Sequence, residues 1–294
     1  MLATVNPNTR GAAAMDLGEP AAPLPALRTD PAWSVLTGDC ATALAPLLRD
    51  ASSPLVGAAR LVFADPPYNL GLDYGNGHRD DRPVQEFRAW LLVRLALAAR
   101  ALAPDGSLFV LINDEHVAEV KVHLESGQFA FRDTPPLHLV QWIKWFEGFG
   151  TYNSAETRFS RSTRHLLWFS PDPRLRIRDP GRPELRRMSA RQKAGDRRAN
   201  PRGRLHPDTW DDISRLCGTF RERLPWSRTQ LPRKLLARII ETSTDPGDLV
   251  LDPFQGTATT GVECLARGRR YLGVEQDPTR AILGALRLLT RDRR

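Results

Sequence analysis

The chain has 294 residues, of which 41% are hydrophobic, and it carries a formal net charge of +8. This length is sufficient to bury a substantial core, either in one large domain or in one domain with an insertion. No apolar run approaches the roughly 18 residues of a membrane span, and no basic start followed by an apolar stretch predicts a signal peptide. Residues 1–30 are rich in Ala and Pro, so we expect a disordered tail there.

Cysteine usage indicates a reducing environment. Cys40, Cys217 and Cys264 are odd in number and widely spaced, and no C-x-x-C pair is present. We therefore predict free thiols, a cytoplasmic location and no metal site.

Short apolar runs alternate along the chain with segments of helical period. Strands are predicted at residues 33–36, 61–64, 107–112, 137–145, 165–169, 249–251 and 271–275. The strands at 137–145 and 165–169 are expected to pair like a hairpin. Helices are predicted around Leu44, Leu47 and Leu48, from Phe87 through Leu102, from Pro232, over residues 259–267, and from Pro278 with Ile282, Leu286 and Leu289 facing inward. This alternation predicts an α/β fold with a mostly parallel sheet and helices on both faces.

One stretch departs from this alternation. Residues 171–205 contain twelve Lys or Arg against four acids, a surplus equal to that of the whole chain. Such a run is either a solvated surface loop or a patch that neutralises nucleic-acid phosphates, and a surplus of this size favours the patch.

The tetrapeptide Asp65-Pro66-Pro67-Tyr68 directly follows a predicted buried strand. Neither proline can donate to a sheet ladder, so the strand ends there in a stiff loop. The loop lies at the carboxyl end of a parallel strand, where open α/β sheets bind ligands. A carboxylate, free carbonyls and an aromatic face suit a planar base that bears an amino group, although an ordinary proline-rich turn would show the same pattern.

A second loop follows another predicted strand. In residues 252–260, DPFQGTATT, a glycine-containing turn leads into a helix N-terminus, but the dinucleotide and P-loop patterns are absent. The next strand ends at Glu275, where an acid can accept hydrogen bonds from ribose hydroxyls.

These residues resemble the DNA amino-methyltransferases that use S-adenosylmethionine. The tetrapeptide is similar to their catalytic motif and Asp252-Pro253-Phe254-Gln255-Gly256 to their cofactor loop. The catalytic motif precedes the basic segment, and the basic segment precedes the cofactor loop, as in the circularly permuted β group. The resemblance covers about residues 33–290 and includes Trp210-Asp211-Asp212-Ile213 and Gln230-Leu231-Pro232.

The resemblance implies a Rossmann-like methyltransferase fold with a seven-stranded sheet. It divides the chain into a tail (1–30), a catalytic half (31–170), a basic target-recognition insert (171–208) and a cofactor-binding half (209–294). Asp65, Pro66, Pro67 and Tyr68 would be catalytic. The cofactor would contact Asp39, Cys40, Asp65, Thr229, Gln230, Asp252, Pro253, Phe254, Gly256, Thr259, Thr260, Glu275 and Gln276. DNA would contact Arg174, Arg176, Arg178, Arg182, Arg186, Arg187, Arg191, Lys193, Arg197 and Arg198.

Two residues depart from the family pattern. Ala258 stands where a second glycine is usual, which matters if that position needs a positive φ. Leu231 stands where lysine is common. Both bear on cofactor affinity, and neither touches the catalytic tetrapeptide.

In the implied reaction, the Asp65 carboxylate and the Pro66 carbonyl accept hydrogen bonds from the amino group of a base flipped out of the duplex. Tyr68 stacks on that base, and the loop at residues 71–81 is expected to close over it. Metal is not required.

The substrate is double-stranded DNA, with adenine N6 favoured because cytosine-N4 enzymes more often carry Ser in place of Asp65. An inactive DNA-binding relative stays open as an alternative. The order of the motifs argues against protein glutamine methyltransferases. A homodimer and a cognate restriction endonuclease are left open, and no membrane partner is expected.

Overall fold

A computed structural model describes residues 29–30, 32–72, 80–127, 134–148 and 159–291. The predicted tail, apart from Thr29 and Asp30, and residues 73–79 of the predicted closing loop lie outside the described residues. Within the described part of the chain, no helix is long and apolar enough to cross a membrane.

One large sheet organises the described residues. Its strands are β1 (Thr29–Asp30), β2 (Trp33–Thr37), β3 (Ala59–Ala64), β4 (Leu102–Ile112), β5 (His138–Phe146), β6 (Thr163–Ser170), β9 (Thr209–Trp210), β10 (Leu249–Asp252) and β11 (Arg270–Glu275). They lie in the order β1-β2-β11-β10-β3-β4-β6-β5-β9. Neighbouring strands from β2 to β4 are parallel, whereas β6 is antiparallel to both β4 and β5. The predicted α/β class and the hairpin-like pair are confirmed, and the two-residue strands β1 and β9 extend the predicted seven strands at either edge.

Helices cover both faces of this sheet, and one short helix lies in the basic segment. They are α1 (Cys40–Leu48), α2 (Val84–Ala99), α3 (Val117–Ser126), α4 (Ala190–Lys193), α5 (Arg233–Ser243), α6 (Thr259–Ala266) and α7 (Pro278–Thr290). One core cluster joins residues of α1, α2 and α3 to Val62, and a second joins residues of α5, α6 and α7 to Leu61. Since adjacent strand residues point to opposite faces, the apolar run of β3 fills both cores.

Helix α2 is shorter than predicted. It ends at Ala99, and Leu102 begins β4 by pairing with Ala59. The register between β3 and β4 then shifts, so that Leu61 pairs with Ser107. Residues 103–106 therefore bulge from the strand, and a Cβ on Gly106 would lie 2.9 Å from the Ala59 carbonyl oxygen. The last residue of the predicted helix and the residues after it therefore belong to β4, with a β-bulge at residues 103–106.

Helix α7 faces opposite to the prediction. Ile282, Leu286 and Leu289 are 48%, 49% and 50% exposed, whereas Gly284 and Leu288 are buried. The helix backbone approaches the cofactor loop so closely that a Cβ on Gly284 would lie 2.6 Å from Gln255 Nε2. The inner face is therefore formed by Ala281, Gly284, Arg287 and Leu288, and not by the predicted apolar stripe.

The basic segment has little regular structure of its own. It contains a 3₁₀ turn at Pro183–Leu185, the short helix α4, and the two-stranded pair of β7 (Arg186–Arg187) and β8 (Arg204–Leu205). The 3₁₀ turn packs against α5, and Leu185 is buried there. The segment then returns to the sheet through β9, which runs parallel to β5.

Candidate active site

Four loops meet at one edge of the sheet because β2, β11, β10 and β3 are parallel neighbours. They surround a cavity of about 250 Å³. Residues that line it include Gly38, Asp39, Cys40, Asp65, Pro66, Pro67, Tyr68, Thr229, Asp252, Pro253, Phe254, Gly256, Thr259, Thr260, Glu275 and Gln276. The fold thus brings nearly all the predicted catalytic and cofactor residues to one place.

The Asp65 loop forms part of the wall of this cavity. The Tyr68 hydroxyl donates a hydrogen bond of 2.5 Å to Asp65 Oδ1, and the Tyr68 side chain is buried. Burial of the Asp65 carboxylate raises its pKa to about 6, against the opposing effects of Arg164 and the Tyr68 hydroxyl. Asp65 is therefore ionised at neutral pH and can accept hydrogen bonds from an amino group.

The loop that follows Tyr68 is held at its two ends. Asn69, in the left-handed region with φ 58°, exchanges two 2.8 Å hydrogen bonds with the backbone of Arg82. The Asp80 carboxylate accepts the backbone N–H groups of Leu70 and Leu72. Both flanks of the predicted closing loop are thus fixed at the cavity wall, where Leu70, Leu72, Asp80 and Arg82 all lie.

The cofactor loop and the strand after it supply two more carboxylates. Burial raises the pKa of Asp252 to about 7 and also raises the pKa of Glu275. Asp252 Oδ1 accepts the Phe254 backbone N–H at 3.1 Å, and Glu275 Oε2 accepts that of Gly256 at 2.8 Å. Backbone N–H groups thus orient both acids in a cavity that favours a cation.

Ala258 adopts the conformation that the usual glycine would supply. Its φ is +56° and ψ is 25°, it is fully buried, and it is the N-cap of α6. This left-handed geometry costs an L-residue about 1 kcal/mol or more. The loop therefore keeps its shape at a conformational cost.

Asp39 is held as the N-cap of α1. Its Oδ1 accepts the Ala41 backbone N–H at 2.9 Å, while Arg94 donates to Oδ2 from Nη2 at 2.7 Å and Nε at 3.1 Å. The Arg94 guanidinium also lies 4.3 Å above the Trp90 ring, and Trp90 lines the cavity. Burial raises the pKa of the neighbouring Cys40 thiol, so Cys40 is a small apolar contact.

Gln230 is the predicted cofactor residue that the structure places away from the cavity. Its side-chain amide accepts the Leu224 N–H and donates to the Glu222 carbonyl, each at 2.7 Å. It therefore ties its own loop together. Its neighbours Thr229 and Leu231 reach the cavity wall instead.

The predicted DNA-contacting cations fall into two groups. Arg178 and Arg182 bind Asp105 and the Thr244 carbonyl at 2.8 and 2.6 Å, near the amino ends of β4 and β10, opposite the cavity. Arg186 donates to three backbone carbonyls and Arg187 pairs with Asp211. Arg178, Arg182 and Arg187 thus attach the insert to the rest of the chain, and Arg186 ties the insert to itself. The exposed group consists of Arg174, Arg176, Arg191, Lys193, Arg197 and Arg198.

Three supporting residues were not predicted from the sequence. Arg164 and Trp90 line the cavity, and Arg287 Nη1 donates at 2.5 Å to the carbonyl of Thr257 in the cofactor loop. Arg164 and Arg287 lie far in sequence from the loops they contact. No local signal could have assigned them.

Comparison with known proteins identifies the family to which this α/β fold belongs. A family model described as a DNA methylase, of the N6/N4 type, matches residues 59–283. The chain belongs to this family, and the expectation of an S-adenosylmethionine-dependent DNA amino-methyltransferase is confirmed at that level.

Two relatives show how similar the chain is to known methyltransferases and what share of their length it covers. It is 28% identical over 237 residues to the DNA adenine methyltransferase YhdJ of Escherichia coli K12, covering 78% of this chain and 75% of YhdJ. It is 27% identical over 224 residues to the type II methyltransferase M.BglII of Bacillus subtilis, covering 73% and 59%. The match thus spans about three fifths of the length of M.BglII.

Solved structures agree in fold. The PvuII DNA methyltransferase, described as cytosine-N4-specific, has a TM-score of 0.63 and 18% identity, and the match covers 87% of this chain and 86% of that chain. TTHA0409 of Thermus thermophilus, described as a DNA modification methylase and solved with S-adenosyl-L-methionine, has a TM-score of 0.55 and 23% identity, with 87% and 95% covered.

Proposed function

We propose that this protein is a site-specific DNA methyltransferase that moves a methyl group from S-adenosylmethionine to the N6 amino group of an adenine flipped out of the duplex. One observation carries the proposal. The Asp65–Tyr68 loop and the acidic loop at residues 252–256 follow adjacent parallel strands and line a single cavity. An amino-bearing base and a methyl donor can therefore meet there.

The cavity suits a cationic cofactor. Asp65, Asp252 and Glu275 all line it, and burial raises the pKa of each. A positive ligand would stabilise their ionised forms and be attracted in return. Following the family resemblance, we assign Asp39 to the adenine ring, Glu275 to the ribose hydroxyls and the loop at 252–256 to the methionine part; all of them line the cavity.

When bound, S-adenosylmethionine supplies an electrophilic methyl group on a sulfonium. The Asp65 carboxylate and the Pro66 carbonyl accept hydrogen bonds from the amino group, which favours a pyramidal nitrogen whose lone pair is free to attack. Tyr68 stacks against the base, an interaction worth on the order of 1–3 kcal/mol. Positioning and electrostatics are the chain's contribution to the rate.

DNA binding is assigned to the insert at residues 171–208. Its exposed cations include Arg191, Lys193 and Arg197, and such side chains neutralise phosphates and release counterions. Arginine can also read guanine edges in the major groove. A homodimer and a cognate restriction endonuclease stay predictions of the family resemblance.

The test is to express the gene in a bacterium without DNA methylation and map modified bases by single-molecule sequencing. We expect N6-methyladenine in one short motif, lost in Asp65→Ala and retained in Asp50→Ala, whose carboxylate lies on the surface beyond α1. N4-methylcytosine would overturn the choice of base. An unmodified genome combined with tight DNA binding in vitro would overturn the activity.

A further inference from the structure

A partly buried arginine lies against the catalytic loop. Arg164, on β6, lines the cavity. Its Nη1 atom donates to the Tyr68 hydroxyl at 3.2 Å, and its guanidinium lies 5.2 Å from the centre of the Tyr68 ring. The chemistry proposed above leaves this residue without a role.

The sheet and one acid fix the position of Arg164. Arg164 pairs with Trp145 across β5 and β6, and its guanidinium lies 5.7 Å from the Trp145 ring. The Glu147 carboxylate, 7% exposed, is 2.8 Å from Arg164 Nε. The Glu147 backbone N–H in turn donates to the Ser162 carbonyl at 2.9 Å. The guanidinium is thus held in one orientation toward Tyr68.

The Tyr68 hydroxyl already occupies Asp65 Oδ1, so a target amino group that approaches this oxygen competes with it. The Tyr68 hydroxyl donates its single proton to Asp65 Oδ1 at 2.5 Å and accepts from Arg164. When an amino group takes over Asp65, the hydroxyl loses that partner. Its bond from Arg164 does not depend on Asp65, so the buried phenol oxygen is still satisfied.

We propose that Arg164, oriented by Glu147, is a positioning residue for methyl transfer, which holds the Tyr68 hydroxyl while the target amino group replaces it on the Asp65 carboxylate. The inference rests on the proposed function, since it takes the amino group of the flipped base as the competitor. Arg164 also acts on Asp65 through its charge.

The charged and titratable groups that face Asp65 come from four elements. They are Tyr68 on its own loop, Arg164 on β6, Glu147 after β5 and Asp252 at the end of β10. Burial raises the pKa of Asp65, Arg164 lowers it and Glu147 raises it. Removing Arg164 and removing the charge of Glu147 should therefore move the Asp65 titration in opposite directions.

The test compares Arg164→Met, Arg164→Lys and Glu147→Gln in single-turnover methyl transfer between pH 5.5 and 9. Activity rises with pH as Asp65 ionises, so Arg164→Met should move the acid limb up by about one pH unit. With the Asp65 pKa near 6, that shift is a loss of about fivefold at pH 6 and almost no loss at pH 8.5. Arg164→Lys should restore the limb, and Glu147→Gln should move it to lower pH.

The same variants can be compared without cofactor or DNA by following the NMR signal of the Asp65 carboxyl carbon as the pH is changed. The Asp65→Asn variant assigns that signal. Arg161→Met is the matched control, because Arg161 is exposed just before β6 and pairs with Asp114 and Glu115. It should leave both profiles unchanged.

Unshifted pH profiles and unshifted Asp65 titrations in Arg164→Met and Glu147→Gln would overturn the inference, even if both variants lose activity uniformly. If Arg164→Met does not fold, Arg164→Gln decides, because it also removes the charge: an unshifted acid limb and an unshifted Asp65 titration contradict the role. A wild-type protein that methylates no DNA would instead overturn the proposed function, while the NMR titration would still test the effect of Arg164 on Asp65.

Discussion

The Asp252 carboxylate lies buried in the cavity, where its ionised form lowers the stability of the ligand-free protein. Its side chain is on a residue 2% exposed, and burial raises its pKa to about 7. The folded state therefore binds a proton more tightly than the unfolded chain. Proton binding by Asp252 therefore stabilises the folded protein. This stabilisation is complete below about pH 4 and is lost as the pH rises through about 7.

For the ligand-free protein, Asp252→Asn should thus increase the free energy of unfolding at pH 8. The gain should be on the order of 2–4 kcal/mol and should shrink steadily between pH 7 and pH 4. Urea unfolding at several pH values measures it. A gain that is independent of pH would show that ionisation of Asp252 is not its cause.

Ala258 carries a second local cost. With φ at +56° in a buried loop, Ala258→Gly should relieve strain while losing one methyl contact, leaving stability unchanged or higher by up to about 1 kcal/mol. The control is Ala237→Gly in the interior of α5, which should lose about 1 kcal/mol. Thermal unfolding measures both changes. Equal losses of stability at the two positions would show that the backbone at Ala258 is not strained.

Helix α7 shows how an element can turn away from its apolar stripe. Gly284 allows close approach to the cofactor loop, and Arg287 donates to the Thr257 carbonyl in that loop. The face of the helix that points inward is thus determined by two contacts with the cofactor loop: the close approach of the helix backbone at Gly284 and one buried hydrogen bond from Arg287. The bulky residues on the other face stay in solvent.

Two leucines of this helix give a matched pair. Leu288 is 1% exposed and Leu286 is 49% exposed. Leu288→Ala should cost about 2–5 kcal/mol, as for a buried leucine, whereas Leu286→Ala should cost less than about 1 kcal/mol. Chemical denaturation of the two variants measures the difference. Comparable costs would mean that the helix is rotated from the orientation described.

At the level of the whole molecule, charge is distributed unevenly between the cavity and the insert, although Arg82 and Arg164 also line the cavity. Three carboxylates with raised pKa line the cavity, while the insert displays exposed cations. With the proposed function, a cationic cofactor and polyanionic DNA would therefore bind to different parts of the chain. This separation follows from the path of the insert, which packs on α5 before it returns to the sheet at β9.

DNA affinity should accordingly depend on salt through the insert. Replacing Arg191, Lys193 and Arg197 by Ala should reduce the slope of log affinity against log salt by about 2–3. Replacing the exposed Arg49, Arg270 and Arg291, all outside the insert, should change it little. Fluorescence anisotropy with any duplex suffices, because this term is independent of sequence. If the two triple variants reduced the salt slope equally, the assignment of DNA binding to the insert would be wrong.

Local sequence by itself determined the seven longer strands, most of the helices and the two site loops. The signals for them are short-range. They are the hydrophobic period, the paired prolines that follow the strand ending at Ala64, and the glycine turn before Thr259. The motif order then predicted that Asp65, Asp252 and Glu275 share a site, because parallel neighbours end at one edge.

Only the tertiary structure decided which side chains support that site. Arg164 meets Tyr68 across 96 positions of sequence, and Arg287 meets Thr257 across 30. Whether a cation of the insert faces solvent, as Arg191 does, or holds the fold, as Arg182 does, depends likewise on distant partners. The physical reason is the same in each case. Backbone period and turn chemistry act over a few residues, whereas burial, charge pairing and the inward face of a helix are set by contacts that exist only once the chain has folded.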